Sequence, residues 1–117
     1  MKKKGPIALG IIGLGRAGWG MHYPELKGHA GQFRIVAVCD RLSERLALAA
    51  RECGCRTYTR PEELIADPGV ELVDVASRSM DHFAHASLTL RAGKAVFLEK
   101  PICRTLQIAP SAYYAAR

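Results

Sequence analysis

The sequence has no apolar run long enough to cross a bilayer, which takes about 20 consecutive residues. Its first run, IALGIIGL, ends at once in Gly15-Arg16. The preceding MKKK gives this start the look of a secretory signal, but no small-x-small cleavage site follows it. The run therefore reads as a buried strand, and no membrane partner is expected. The four cysteines, Cys39, Cys53, Cys55 and Cys103, lack the paired spacing of a zinc site, so no metal is expected. Without a secretory signal they read as reduced thiols of a cytoplasmic protein. Internal repeats and low-complexity linkers are also missing, and the 117 residues read as a single domain, 1–117.

Acids are missing from residues 101 to 117, while Lys2, Lys3 and Lys4 form a basic tip, and the net charge is +6. A basic domain invites a nucleic-acid reading. Here the arginines are scattered singly, no helix has a basic face, and aromatics do not interleave with the charges. No nucleic-acid partner is expected. The charge suits a solvated surface that favours an anionic small ligand.

What is present is a regular alternation. Residues 7–12, 33–39, 56–58, 70–76 and 95–98 are short apolar or β-branched runs and read as strands. A helical pattern from Arg16 to about Ala30 is interrupted by Pro24, which should kink or shorten it. Ser43 caps a second helix that places Leu46, Ala49 or Ala50, and Cys53 on one face, and Gly54 ends it in a left-handed cap. Pro61 opens a brief helix with Glu62 and Glu63 in its first turn. Asp81 to Ala92 reads as a helix burying Phe83, Ala86 or Ser87, and Leu90, stopped by Gly93. At the end of the chain Thr105 caps a helix, or one opens at Pro110. Strands that alternate with helices over short connections demand crossovers, hence an α/β, doubly wound parallel sheet of about five strands.

The first strand runs into Gly13-Leu14-Gly15-Arg16-Ala17-Gly18, and a helix follows. In a dinucleotide fold of the Rossmann type the three glycines have separate tasks: a tight turn, close approach of a pyrophosphate, and close helix–strand packing. The helix N-terminus adds N–H groups and partial positive charge for the anion. A turn used only for packing has the same spacing, and Asp40 argues against it, 22 residues after Gly18 at the end of the second strand. A carboxylate there can take both hydroxyls of an adenosine ribose and repels a 2′-phosphate, which favours NAD. The neighbouring Arg41 can stack on adenine or accept that phosphate, which keeps NADP as the alternative. Helix capping beside Ser43 is the structural alternative for Asp40.

Ligands in such sheets bind beyond the carboxyl ends of the strands. The fourth strand delivers Ser77-Arg78-Ser79 to that edge, with His82 in the following helical turn, where the dipole favours a neutral ring. His85 lies three residues on, and two histidines without further ligands make no metal site. Both also fit ordinary positions on a partly exposed helix start. The fifth strand delivers Glu99-Lys100-Pro101. Lys100 offers a mobile cation and donor for a ribose or substrate hydroxyl, and Glu99 can hold Lys100 or accept from a cofactor. An exposed ion pair ending a strand has the same composition.

These residues together resemble the oxidoreductases grouped with glucose-fructose oxidoreductase and inositol dehydrogenase, the Gfo/Idh/MocA family. The resemblance runs from about Ile7 to Leu106. It rests on Gly13 to Gly18 with His22, on Val38-Cys39-Asp40-Arg41, and on Val75 to Pro101 with Ala92-Gly93-Lys94 and Glu99-Lys100-Pro101 at the family's spacing. It implies an NAD(P)-binding domain with Gly13, Gly15, Arg16, Ala17 and Gly18 at the pyrophosphate and Asp40 and Arg41 at the adenosine end. Ser77, Arg78 and Ser79 would lie along the cofactor, with His82 in register. Glu99 and Lys100 would flank the nicotinamide, Lys100 also acting on a small-molecule substrate. Ser77-Arg78-Ser79 departs from the family's frequent Thr-Pro-Asn, and Arg78 adds a cation suited to an acidic substrate. The family pattern continues into a sixth strand and an α+β domain that carries the usual acid/base residues and oligomer contacts. This chain stops short of them and is expected to lack both, to bind rather than catalyse alone, and to tend toward homo-oligomers. The activity implied is hydride transfer between nicotinamide and a sugar- or polyol-like alcohol. The alternatives are a stand-alone, non-catalytic nucleotide-binding or regulatory module, and a methyltransferase, against which the glycine spacing and Glu99-Lys100-Pro101 argue.

Overall fold

A computed structural model of the chain describes residues 5–99 and 111–114. Strand β1 (Ile7–Ile12) is followed by a π-helical segment, Arg16–His22, that runs into α1 (Tyr23–Lys27). Then come β2 (Phe33–Cys39), α2 (Ser43–Cys53), β3 (Arg56–Tyr58), α3 (Pro61–Ile65), β4 (Leu72–Val75), α4 (Ser79–Arg91), β5 (Ala95–Glu99) and β6 (Ser111–Tyr114). The strands form one sheet in the order β3-β2-β1-β4-β5-β6. The first five are parallel, as the alternation requires.

The sixth strand is a correction. Residues 111–114 do not open a helix at Pro110; they pair antiparallel with β5, Glu99 opposite Ser111 and Val96 opposite Tyr114. The open edge of β5 offers a ladder of backbone groups, and a segment with two tyrosines has the β propensity to take it.

Each face of the sheet carries its own core. On one face Ile12, Val36, Val73, Val75 and Val96 pack under Leu64 and Ile65 of α3 and Ala86 of α4. On the other, Leu9, Ile11, Val38 and Leu72 pack under Leu46 and Ala49 of α2, with Trp19 and Leu26 at the margin. Helices on both faces make the sheet doubly wound. Among the described residues no helix is long and apolar enough to cross a membrane.

Three helix starts or faces differ from the sequence pattern. Pro24 sits in the first turn of α1, where its missing N–H costs little. The segment before it widens into a π-helix, with Gly20 N–H reaching Gly15 O at 3.2 Å, which relieves the clash of a proline ring with the carbonyl four residues back. Ser43 is the first helical residue of α2 rather than its cap. Leu42 holds the cap position, and its own side chain makes no capping bond. In α4, Phe83 is 82% exposed and Leu90 lies at the surface, while Ala86 and Thr89 are buried. The inward stripe is half-buried His82 and His85 with buried Ala86 and Thr89, and each polar member finds a bond: His82 and His85 to Ser77, and Thr89 Oγ1 to His85 O at 2.7 Å.

At the amino edge of the sheet Asp67 joins three segments. It accepts from Arg56 Nε at 2.6 Å, Tyr58 OH at 2.8 Å and Gly69 N at 2.8 Å. Lys94 Nζ donates to the carbonyls of Asp67 and Val70, both at 2.6 Å, tying the turn before β5 to the loop before β4. The Lys94 of Ala92-Gly93-Lys94 therefore has a fastening task on the side away from the carboxyl edge.

Candidate functional site

The strand order reverses between β1 and β4, and a cleft of about 870 Å³ opens there beyond the strand ends. Its walls come from the glycine loop, the end of β2 with the start of α2, and the β4–α4 connection.

The loop fits its glycines one by one. Gly13 has φ +98°, and a Cβ on it would lie 2.7 Å from Ala76 O. A Cβ on Gly18 would lie 1.8 Å from Gly13 O, so helix and loop touch backbone to backbone there. Gly15 differs: its nearest neighbour to such a Cβ is Arg45 Nη1 at 3.5 Å, an ordinary contact. The fold itself therefore does not require glycine at 15; the space above it faces the cleft. The following helix starts at Arg16, and the first N–H groups of a helix have no partner within it.

Asp40 sits at the tip of β2, and its side chain is only 7% exposed. Oδ2 accepts from Leu14 N at 2.8 Å, and Oδ1 accepts from Leu42 N at 2.9 Å. Arg45 Nη1 stands 3.4 Å from Oδ2. The carboxylate thus ties the glycine loop to the entrance of α2. The capping alternative is partly realised, through Leu42 rather than Ser43. A carboxylate has about four acceptor sites, so two backbone bonds leave room for hydroxyl donors.

On the opposite wall Ser77 Oγ lies 2.8 Å from His85 Nδ1, and His82 Nε2 donates to Ser77 O at 2.5 Å. A carbonyl only accepts, so His82 carries its proton on Nε2 when neutral. Burial first, and then the neighbouring His82, hold the His85 pKa below its ordinary value and favour the neutral ring. Arg78 pairs loosely with Asp81 at 3.6 Å on the surface.

Of the residues singled out in the sequence, Gly13, Gly15, Arg16, Asp40, Arg41, Ser77 and Arg78 line the cleft. Ala17 and Gly18 lie behind them in the π-helical segment, and His82 lies behind Ser77. Ser79 begins α4. Glu99 ends β5, whose register with β4, Leu98 opposite Val75, brings that strand end beside Ala76 and Ser77. Lys100, like Pro101, lies outside the described residues.

Two features escaped the sequence reading. Arg45, one turn into α2, reaches Asp40 and the space over Gly15. Asp74, 1% exposed in β4, meets the buried His22 with Oδ2 to Nδ1 at 2.6 Å. The signal for Asp74 was a single acid in the otherwise apolar run LVDV, since a strand covered on both faces takes no charge without a partner. This pair opens toward a second cavity of about 660 Å³ on the sheet face beside α1, among Leu9, Phe33, Leu72 and Phe97.

Comparison with known proteins gives the cleft its context. A family model, Gfo/Idh/MocA, described as the oxidoreductase family with an NAD-binding Rossmann fold, matches residues 7–117. Inositol 2-dehydrogenase 1 of Saccharopolyspora erythraea is 37% identical over 101 residues, covering 85% of this chain and 30% of that protein. The structure of the WlbA dehydrogenase from Bordetella pertussis in complex with NADH and UDP-GlcNAcA superposes with a TM-score of 0.76 at 27% identity, over 82% of this chain and 30% of that one. Biliverdin reductase from Synechocystis, in complex with biliverdin and NADP+, gives 0.72 at 31% identity, over 82% of this chain and 30% of that one. The chain thus spans about 30% of the length of relatives such as these.

Proposed function

We propose a function from one established point: this chain belongs to the Gfo/Idh/MocA oxidoreductases, whose NAD(P)-binding domain it represents. On our reading the cofactor is NAD, and residues 1–117 act as one binding unit. The pyrophosphate rests over Gly15 against the N–H groups that begin the helix at Arg16, Ala17 and Gly18. The adenosine ribose reaches Asp40, with Arg41 alongside.

The observation that carries this reading is the bond from Leu14 N to Asp40 Oδ2 at 2.8 Å. It holds the candidate anion-binding loop and the candidate ribose acceptor as one piece. The residues fit such a group: glycine stands at 15 where the fold does not require it, and the Asp40 carboxylate keeps acceptor capacity. Asp40 disfavours a 2′-phosphate, whereas Arg41 and Arg45 would attract one. Relatives in complex with NADH and with NADP+ both occur, so the balance among these three side chains sets the preference.

Bound there, the nicotinamide supplies a carbon that gives or takes a hydride. The contribution of this chain is placement. Ser77, with its hydroxyl on His85, and the carbonyl held by His82 shape the wall along the cofactor, with Arg78 and Ser79 next to them. Glu99 ends β5, and Lys100, next in the sequence, positions the substrate hydroxyl. The substrate class is a sugar- or polyol-like alcohol, supported by the inositol dehydrogenases among the relatives. Arg78 suits an acidic member of that class.

Titration with NADH and NADPH, following Trp19 fluorescence, tests the reading, because Trp19 directly follows Gly18. Saturable quenching, tighter for NADH, is expected. Tighter NADPH binding would transfer the decisive role to Arg41 and Arg45. No quenching by a folded chain would overturn the cofactor site.

A further inference from the structure

Away from the cleft, two free cysteines flank a single glycine in Cys53-Gly54-Cys55. Cys53 ends α2, Gly54 takes the left-handed conformation with φ +64°, and Cys55 leads into β3. Two extended residues span up to about 7 Å, and the compact turn at Gly54 draws the flanking Cα atoms into the range of about 4.4 to 6.8 Å that a disulfide needs. Both thiols are half-buried, so each is held and each is reachable. The two thiols lie close enough to act on each other's protonation, and the Tyr23 hydroxyl acts on that of Cys53. Cys55 Sγ rests 3.8 Å from Ala49 O.

We propose that Cys53 and Cys55 form a thiol–disulfide redox pair, with Cys53 as the attacking sulfur and Cys55 as the resolving one. The local charge supports that order. The Cys55 thiol comes first, with Tyr23 OH and the Lys27 ammonium adding to it, and together they hold the Cys53 thiol below its ordinary value against burial and Glu52. The same partnership pushes Cys55 up, together with burial. Cys39 is an internal contrast: buried at the end of β2, it is pushed up to about 12 by desolvation and then by Asp40.

The oxidant is a small disulfide such as oxidised glutathione. The Cys53 thiolate attacks one sulfur of that disulfide, forming a mixed disulfide and releasing one small thiolate. Capping Cys53 removes its charge from beside Cys55. Cys55 then loses its proton to solvent and attacks Cys53 Sγ, releasing the second small thiolate. Two protein thiols become one disulfide, one small disulfide becomes two thiols, and the two protons lost are taken up by the leaving thiolates. A ring closed across one residue is strained, and strained disulfides are easily reduced, which makes the step reversible.

The test equilibrates the reduced chain in glutathione buffers of rising oxidised fraction, quenches with acid, and maps the tryptic peptides. Glu52–Arg56 carries both sulfurs. Its conversion to a form two hydrogens lighter is expected, while the Cys39 peptide stays reduced. With Cys55→Ser the same buffers should leave Cys53 as a stable glutathione adduct, and with Cys53→Ser Cys55 should stay unmodified. Iodoacetamide at neutral pH should label Cys53 at least about tenfold faster than Cys39 in the folded chain. A Glu52–Arg56 peptide that stays dithiol in every buffer overturns the proposal. So does equal labelling of Cys53 and Cys39. The unsubstituted chain supplies both of these arms, so the outcome does not depend on whether the serine variants fold.

Discussion

Gly15 and Gly18 stand three residues apart and are held to glycine by different things, and this difference is testable. At Gly18 an added Cβ meets Gly13 O at 1.8 Å, backbone against backbone, and neither side can move without opening the loop. Gly18→Ala is expected to cost at least about 2 kcal/mol of stability, read by denaturant titration. At Gly15 the added carbon meets only a flexible arginine tip. Gly15→Ala should keep the fold and lose at least about tenfold in NADH affinity, about 1.4 kcal/mol, because on the proposed reading its methyl stands where the pyrophosphate approaches. Asp40→Ala should leave Leu14 and Leu42 N–H without their acceptor, cost about 1–2 kcal/mol, and narrow any preference for NADH over NADPH. The glycine spacing and the position of Asp40 were readable because each residue type is tied to a backbone need. That Asp40 already bonds Leu14, or that Asp74 meets His22, could not be read, because both depend on segments 26 and 52 residues apart.

At the scale of elements, the five parallel strands were legible from short apolar or β-branched runs, and β1, β2 and β3 have the bounds the pattern gave. Helix faces were less so. Hydropathy selects Phe83 and Leu90 in α4, whereas the structure buries Thr89 and half-buries His82 and His85 there, their polar atoms bonded. The fastening at Asp67 was equally invisible, since Arg56, Tyr58 and Lys94 belong to other segments. It makes a prediction about acid. Arg56 first, then Tyr58 and the Gly69 amide, lower the Asp67 pKa from 3.8 to about 2. A depressed carboxylate contributes stability that is fully present above its unfolded value and is lost as pH falls through the folded one. The thermal midpoint of Asp67→Asn should therefore lie below that of the parent near neutrality. The gap should close between about pH 4 and pH 2; a gap unchanged over that window would contradict the role given to Asp67.

For the whole molecule, the sheet separates two tasks. Its amino edge is fastened through Asp67 and Lys94, and its carboxyl edge opens as the cleft at the strand reversal. Relatives such as inositol 2-dehydrogenase 1 are about three times as long, and this chain corresponds to their NAD-binding part. The most direct test follows the backbone amides of the chain by nitrogen–proton correlation NMR as NADH is added. Leu14, Gly15, Arg16 and Leu42 should shift together and saturably, since on this account the ligand lies across the loop and Asp40, while the Val70 and Lys94 amides at the far edge stay in place. Shifts gathered instead around His22, Phe33 and Phe97 would put the ligand in the second cavity and contradict the assignment of the cleft.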